Sequence, residues 1–170
     1  MRKGVSSVVP SIRLPMAAKT SFPHDSFLRH LELFDEATPT VAGMTLPPPL
    51  ARILLTSDVT GALTKAADCL IPLLKARQAM LQAAFDTELA ADELRRYQKF
   101  AKAGQPSAHT VQLRQKQASA RQASSRSKQS FIKVAAAFVR EAGIEIPQRV
   151  ALEEFITHWI DANVPKDFSQ

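Results

Sequence analysis

The residues that could form a catalytic or metal site are few and lie far apart in the sequence. Glu154 and His158 are four residues apart, so on one helix they would share a face and could bind a cation. Two such ligands without a third are a weak signal, and an ordinary solvated pair beside Trp159 is the favoured interpretation. Cys69 lies in an apolar run with Leu70 and Ile71, as is typical of a small buried side chain rather than of a nucleophile.

Phosphate-binding loops require several glycines close together, because the backbone must approach the phosphate oxygens. The chain has five glycines and no glycine-rich motif. We therefore expect a protein without catalytic residues, without a metal site and without a cofactor, and not an enzyme.

Charge is the most informative feature of the sequence. Residues 94–140, which we call the basic block, contain eleven Lys and Arg and not one Asp or Glu, whereas residues 25–93 and 141–170 are net acidic. Solvated helix faces usually mix both signs, because Glu–Lys pairs stabilise a helix and like charges do not. The block therefore favours contact with an anion, although a solvated face remains the alternative.

The anion could be a nucleic-acid phosphate, a lipid head group or an acidic protein surface. Tyr97 and Phe100 fall on a predicted core stripe, so the sequence does not favour stacking of bases on aromatic rings. The candidate anion-binding or partner-binding residues are Arg95, Arg96, Lys99, Lys102, Arg114, Lys116, Arg121, Arg126 and Lys128.

Two long helices must position this block. The first is expected to start at Ser57 or Asp58 and to kink or break near Cys69–Ile71, because Pro72 lacks an amide donor. From Leu73 onward it keeps one apolar stripe that should be buried. The stripe consists of Leu74, Leu81, Phe85, Leu89, Tyr97 and Phe100.

The residues between the two helices predict a tight turn. Gly104 is a typical helix terminator, and Pro106 prevents the first helix from resuming. Ser107 or Thr110 should cap the second helix, which should run to about Ala142 and end at Gly143. The turn places the basic block at the tip of an antiparallel hairpin.

Residues 1–49 are interrupted by prolines and predict an extended arm with one short helix. Ser26 or Asp25 should cap that helix, which should end near Ala37. Large apolar side chains in such an arm need a surface to cover them, and neighbouring chains are the simplest source. The predicted docking residues of the arm are Phe22, Phe27, Leu31 and Phe34.

The remaining elements complete the fold prediction. A short helix should follow Pro49, and a final helix should run from Pro147 to about Ala162. The fold class is therefore all-α: a long antiparallel helical hairpin with a small packed helical base and an extended Pro-rich N-terminal arm. Residues 1–49 would form the arm, and residues 50–170 the hairpin and bundle domain.

The composition also bears on location. Apolar runs are far shorter than the roughly 18 residues that a transmembrane helix needs, so we expect no transmembrane segment. Residues 1–20 are basic, acid-free and partly apolar, which resembles a mitochondrial targeting segment, although a flexible basic tail is the alternative. One cysteine fits a reducing compartment. Mitochondrial location is expected, and cytoplasmic location otherwise.

Together these features predict a non-enzymatic accessory or structural subunit. It would dock into a large multiprotein assembly, such as a mitochondrial respiratory, ATP-synthase or ribosomal complex, with other protein subunits as partners. The alternative is a nucleic-acid-binding protein that acts through the basic hairpin tip.

Overall fold

The computed structural model describes residues 19–33, 46–55, 64–101, 104 and 107–167. Within these ranges the regular structure consists of α-helices, which confirms the all-α prediction. The helices are α1 (Asp25–Glu32), α2 (Pro48–Leu54), α3 (Lys65–Phe100), α4 (Ala108–Ala142) and α5 (Leu152–Asn163).

Helices α3 and α4 form the predicted antiparallel hairpin, and they pack along most of their length. Gly104 lies exposed between them with a φ of 118°, a conformation that L side chains rarely adopt. The turn was therefore placed correctly. Its residue Pro106 lies outside the described ranges.

Both ends of α4 follow the sequence signals. Ser107 is the N-cap, and its hydroxyl accepts a bond from the Thr110 amide at 3.2 Å. Gly143 ends the helix in the left-handed conformation, with a φ of 63°. The amide of Ile144 then donates to the Val139 carbonyl at 3.1 Å, which is the bonding of a Schellman motif.

Helix α3 begins later than expected, at Lys65. Its N-cap is Thr64, whose hydroxyl accepts from the Ala67 amide at 3.3 Å and donates to the carbonyl of Ile53. Since the Thr64 amide also donates to the Leu54 carbonyl at 3.0 Å, one residue caps α3 and fixes the end of α2. The predicted caps at residues 57 and 58 lie outside the described ranges.

A kink or a break was expected near Cys69–Ile71; the break is wrong, because α3 runs continuously through Pro72, and the kink stays a prediction. A proline inside a helix costs about 3 kcal/mol. Leu70, Leu73 and Leu74 are fully buried on both sides of it, and each such side chain is worth about 1.5–3 kcal/mol. Pro72 itself lies on the exposed side, so packing outweighs the lost hydrogen bond.

The hydrophobic core lies at the open end of the hairpin, where α1, α2 and α5 pack around it. The core residues of α3 lie between Ala67 and Leu74, and those of α4 between Phe131 and Val139. The ring of Phe138 contacts that of Trp159 on α5, with centroids 5.1 Å apart. We call this part of the molecule the base, and the hairpin beyond it the distal half.

In the distal half, α3 and α4 meet through small residues. Ala83, Ala90 and Leu94 are buried, and the Thr87 hydroxyl reaches the Ala120 carbonyl at 3.2 Å. These four α3 positions recur at helical spacing and form the contact with α4.

The predicted core stripe of α3 is therefore partly wrong. Leu89 is 40% exposed and Phe100 is 88% exposed, while Leu81, Phe85 and Tyr97 are half-buried. The physical reason is that the small-residue stripe faces α4 and leaves these larger side chains beside the contact.

The expectation that neighbouring chains cover the N-terminal arm is corrected for three of its four residues. Phe22, Phe27 and Leu31 are buried in the core of the chain itself. Phe34 lies outside the described ranges. The predicted boundary between residues 49 and 50 falls within α2, and both sides of it contribute to the same core.

The start of α1 is held by the C-terminal end of the chain. The Asp167 carboxylate accepts from the Ser26 amide at 3.2 Å, so it caps α1 in place of Ser26 or Asp25. His24, almost fully buried, shares a 2.9 Å hydrogen bond between Nδ1 and the Pro165 carbonyl. Contacts with residues near the C-terminus therefore provide the helix cap that was expected from Ser26 or Asp25.

The start of the final helix was also wrongly predicted. Residues 147–150 form a turn in which the Val150 amide donates to the Pro147 carbonyl at 3.1 Å, and α5 begins at Leu152. Ile156 and Ile160 follow this turn on α5, and both are fully buried in the core.

Replacing Phe27 tests whether the arm belongs to the core. We expect Phe27→Ala to lower the free energy of unfolding by about 3–5 kcal/mol, the usual cost of removing a buried phenylalanine. Phe100→Ala is the matched control, because that side chain is 88% exposed and should change stability by less than about 0.5 kcal/mol. Urea unfolding followed by circular dichroism measures both. Equal midpoints for Phe27→Ala and the parent would show that the arm is not part of the stable core.

Candidate anion-binding site

The candidate catalytic and metal residues do not converge. His158 and Glu154 are both exposed on α5. In the described part of the chain, no group of three or more His, Cys, Asp or Glu side chains could hold a metal ion. The helices of that part include none with the length and hydropathy to cross a membrane.

Cys69 lies half-buried in α3, beside the core. Burial raises the pKa of its thiol, and the carboxylates of Glu141 and Asp68 raise that pKa further, while Arg140 opposes them. A raised pKa leaves less thiolate at neutral pH, and the thiolate is the reactive form. The environment of Cys69 is therefore the opposite of that of an activated nucleophile.

Most of the basic block lies on α4, which carries seven Lys and Arg and one acid, Glu141, near its C-terminal end. Six of the basic residues fall into two rows of three at seven-residue intervals, which keeps each row on one side of the helix. All six are exposed. The rows are Arg114, Arg121 and Lys128, and Arg126, Lys133 and Arg140. The two rows lie about 120° apart around the helix, at 3.6 residues per turn, and we call them together the basic face.

Ion pairs neutralise only part of the predicted site. Lys116 pairs with Glu93 at 2.6 Å, Lys128 with Glu153 at 2.8 Å, and Arg95 with Asp92 at 2.8 Å. The remaining cations of the predicted set make no ion pair with any residue that the structure describes, although Lys102 itself is not described. These unpaired cations are Arg96, Lys99, Arg114, Arg121 and Arg126.

Lys133 is exposed and unpaired among the described residues as well, so the cations of the basic face that are most available to a partner are Arg114, Arg121, Arg126 and Lys133. Neighbours in a row are separated by about 10.5 Å along the helix axis, at 1.5 Å per residue. Exposed ion pairs contribute little energy, so even Lys116 and Lys128 could exchange their carboxylates for a partner anion.

A second feature, at the tip of the hairpin, was not predicted. A groove of about 570 Å³ opens between the end of α3 and the start of α4, and we call it the tip groove. Its size lies in the usual range for small-molecule sites. The groove is lined by Glu93, Arg96, Tyr97, Phe100, His109, Leu113 and Lys116.

Tyr97 is fixed within the tip groove by two contacts. Its hydroxyl and that of Ser107 are 2.9 Å apart, and the same Ser107 caps α4. The Tyr97 ring meets the His109 ring edge to face, with centroids 4.6 Å apart. The cap of α4 and an aromatic wall of the groove are thus one hydrogen-bonded unit.

The sequence missed the groove because Tyr97 and Phe100 were assigned to the core. A signal was present: both are aromatic residues inside an acid-free block, with His109 and Leu113 beyond the turn. Aromatic side chains among cations are a common feature of nucleic-acid-binding surfaces. Of the predicted cations, the structure brings Arg96 and Lys116 into this groove.

Comparison with known proteins adds no assignment: no protein family, no curated protein and no solved structure matches the chain. Its function must therefore be argued from the basic face and the tip groove.

The thiol gives a test of the non-catalytic assignment. We expect iodoacetamide to alkylate Cys69 more slowly in the folded chain than in the chain unfolded by guanidinium, at every pH below the thiol pKa, because burial raises that pKa. Glu141→Gln should speed the reaction by removing a carboxylate that raises the pKa, whereas Glu145→Gln, a nearby exposed control, should not. Mass spectrometry is unambiguous because the chain has one cysteine. Faster alkylation of the folded chain would contradict this account.

Proposed function

We propose that the chain is a non-enzymatic accessory subunit that docks onto an anionic surface of a larger assembly through the basic face of α4. The observation that carries the proposal is the unpaired state of Arg114, Arg121 and Arg126 among the described residues. Helix surfaces without a partner usually carry compensating acids, and α4 carries none before Glu141.

The shape of the molecule supports the same proposal. The base contains the hydrophobic core, so the distal half of the hairpin contributes little to it. A projecting hairpin with cations on α4 and on the last turns of α3 can enter an assembly without disturbing the fold that holds it. Phe22, Phe27 and Leu31 are buried in the core of the chain itself. The proposed docking therefore depends on the hairpin rather than on these residues of the arm.

The mitochondrial setting remains part of the proposal. It rests on the basic, acid-free composition of residues 1–20, most of which lie outside the described ranges. A respiratory, ATP-synthase or ribosomal complex would each offer anionic surfaces to a protein of net charge +6.

A second candidate, a nucleic-acid-binding protein, is favoured by a separate observation. The tip groove places the exposed ring of Phe100 beside Arg96, which makes no ion pair with a described residue. Docking onto a protein surface does not require an exposed ring at this position, whereas an unpaired base can stack on one. The two candidates share the basic face and differ in the groove.

Removing charge from the basic face, with a control variant of the same net charge, tests the proposal. The variant Arg114→Gln, Arg121→Gln, Arg126→Gln should lose stoichiometric co-purification with its assembly from native extract at low salt. The control variant Arg52→Gln, Arg149→Gln, Lys166→Gln removes the same charge from exposed positions elsewhere and should co-purify normally. Glutamine keeps nearly the same helix propensity as Arg and Lys, so the fold is preserved.

Quantitative mass spectrometry of the retained proteins, over a series of salt concentrations, provides the measurement. Retention by the parent should fall with added salt, and removing the three arginines should flatten that dependence. If both variants co-purify equally well, the basic face is merely solvated and the proposal is wrong.

A further inference from the structure

We infer that the tip groove binds single-stranded nucleic acid, with an unpaired base stacked on Phe100. The inference rests on the second candidate function and names the form of nucleic acid that it would take. It depends on the exposed aromatic surface, the charge and the rigidity of the groove, and the residues that line the groove all lie within the described ranges.

The first argument is the exposed aromatic surface. Phe100 is 88% exposed although it is a large apolar side chain, and it lies next to Tyr97, His109 and Leu113 in the groove. Every base presents a flat π face, and stacking on an aromatic ring is worth about 1–3 kcal/mol per base. A groove with an aromatic wall on one helix and a ring from the other suits such a face.

The second argument is charge. Glu93 and Lys116 neutralise each other through their 2.6 Å ion pair, which leaves Arg96 as the unpaired charge among the groove residues. Lys99 lies one turn from Arg96 on α3, and Arg114 follows Leu113 on α4; neither makes an ion pair with a described residue. A strand whose base enters the groove would place its phosphates among cations on both helices.

The third argument is rigidity. Tyr97 is held by Ser107 and His109, and Ser107 is held in turn as the cap of α4. A wall that is already ordered loses little conformational entropy when a ligand binds, which favours affinity. The wall residues therefore do not need to rearrange around a base.

The shape also selects the strand. In a duplex the faces of the bases are covered by their neighbours, so a base can enter the groove only after unstacking. Phosphates on a duplex could still reach the basic face, where contacts are independent of sequence and of strandedness. The groove should therefore provide preference for single strands, and the basic face general affinity.

Fluorescence anisotropy of the full chain with labelled oligothymidylate, and with a duplex of equal length, tests the inference. The parent should bind the single strand more tightly than the duplex. Phe100→Ala should weaken single-strand binding by roughly 5- to 100-fold, the loss of one stacked base, and leave duplex binding unchanged. Because Phe100 is exposed, the variant should remain folded, as circular dichroism can verify.

Val111→Ala is the matched control, since Val111 is 44% exposed on α4 and does not line the groove. It should bind both probes as the parent does. Arg96→Gln should weaken single-strand binding and lower the slope of log K against log salt by about 0.7, the value for one phosphate contact on a single strand.

The outcomes separate the inference from the proposals on which it rests. If removing Arg114, Arg121 and Arg126 weakens both probes while Phe100→Ala changes neither, the basic face binds nucleic acid and the groove does not. If Phe100→Ala alone abolishes the preference for single strands, the groove is the site whatever the basic face contacts. Binding of neither probe by the parent would overturn the inference.

A lipid surface is the remaining occupant to exclude. Vesicles containing phosphatidylserine provide the probe, because an exposed phenylalanine beside cations could also enter an anionic bilayer. In one outcome the parent sediments with these vesicles, Phe100→Ala does not, and the parent does not bind oligothymidylate. That combination of results would assign the groove to a membrane and overturn the inference.

Discussion

The close approach of α3 and α4 in the distal half is the constraint on which the exposed features of the molecule depend. Thr87 can reach the Ala120 carbonyl only because Ala83 and Ala90 keep the facing surface of α3 small. The buried stripe of α3 also includes Leu94, whereas Leu89 and Phe100 lie outside it and are exposed. The same close contact brings Tyr97 within reach of Ser107.

The base is packed differently from the distal half, because large side chains rather than small ones fill it. There α3 and α4 are covered by α1, α2 and α5, and the core is built from large apolar side chains such as Phe27, Phe131 and Ile156. The two ends of the described chain also meet at this point, through the Asp167 carboxylate and the amide of Ser26. Stability is concentrated in the base, so the distal half can carry polar and cationic surface at little cost to folding. Because the core is separate from the candidate binding surface, substitutions in the hairpin can test binding without unfolding the chain.

The sequence predicted those features that depend on neighbouring residues along the chain. The cap at Ser107, the terminator at Gly143 and the turn at Gly104 are properties of a few consecutive residues, and all were placed correctly. The break at Pro72 and the helix start at Pro147 were predicted wrongly, because tertiary packing decides whether a helix continues through a proline or begins at one. The cations of the site could be predicted from composition alone. The groove could not, because apolar periodicity does not reveal which of two possible stripes a long helix will bury, and here the alanine stripe was buried rather than the stripe that contains Phe100.

An acid-free helix face must tolerate its own repulsion, and the spacing of the two rows explains why it can. Neighbouring cations in a row are about 10.5 Å apart along the axis, which is close to the screening length of about 8–10 Å at physiological salt. Each repulsion is therefore largely screened while the face is open to solvent. A polyanion that lies along α4 meets several cations together and releases its counterions, so its attraction grows with every contact. The arrangement costs the isolated chain little and favours an extended anionic partner over a small one. Arg114 and Arg121 are spread along α4, and Arg126 lies about 140° around the helix from Arg121, so a small anion cannot contact all three.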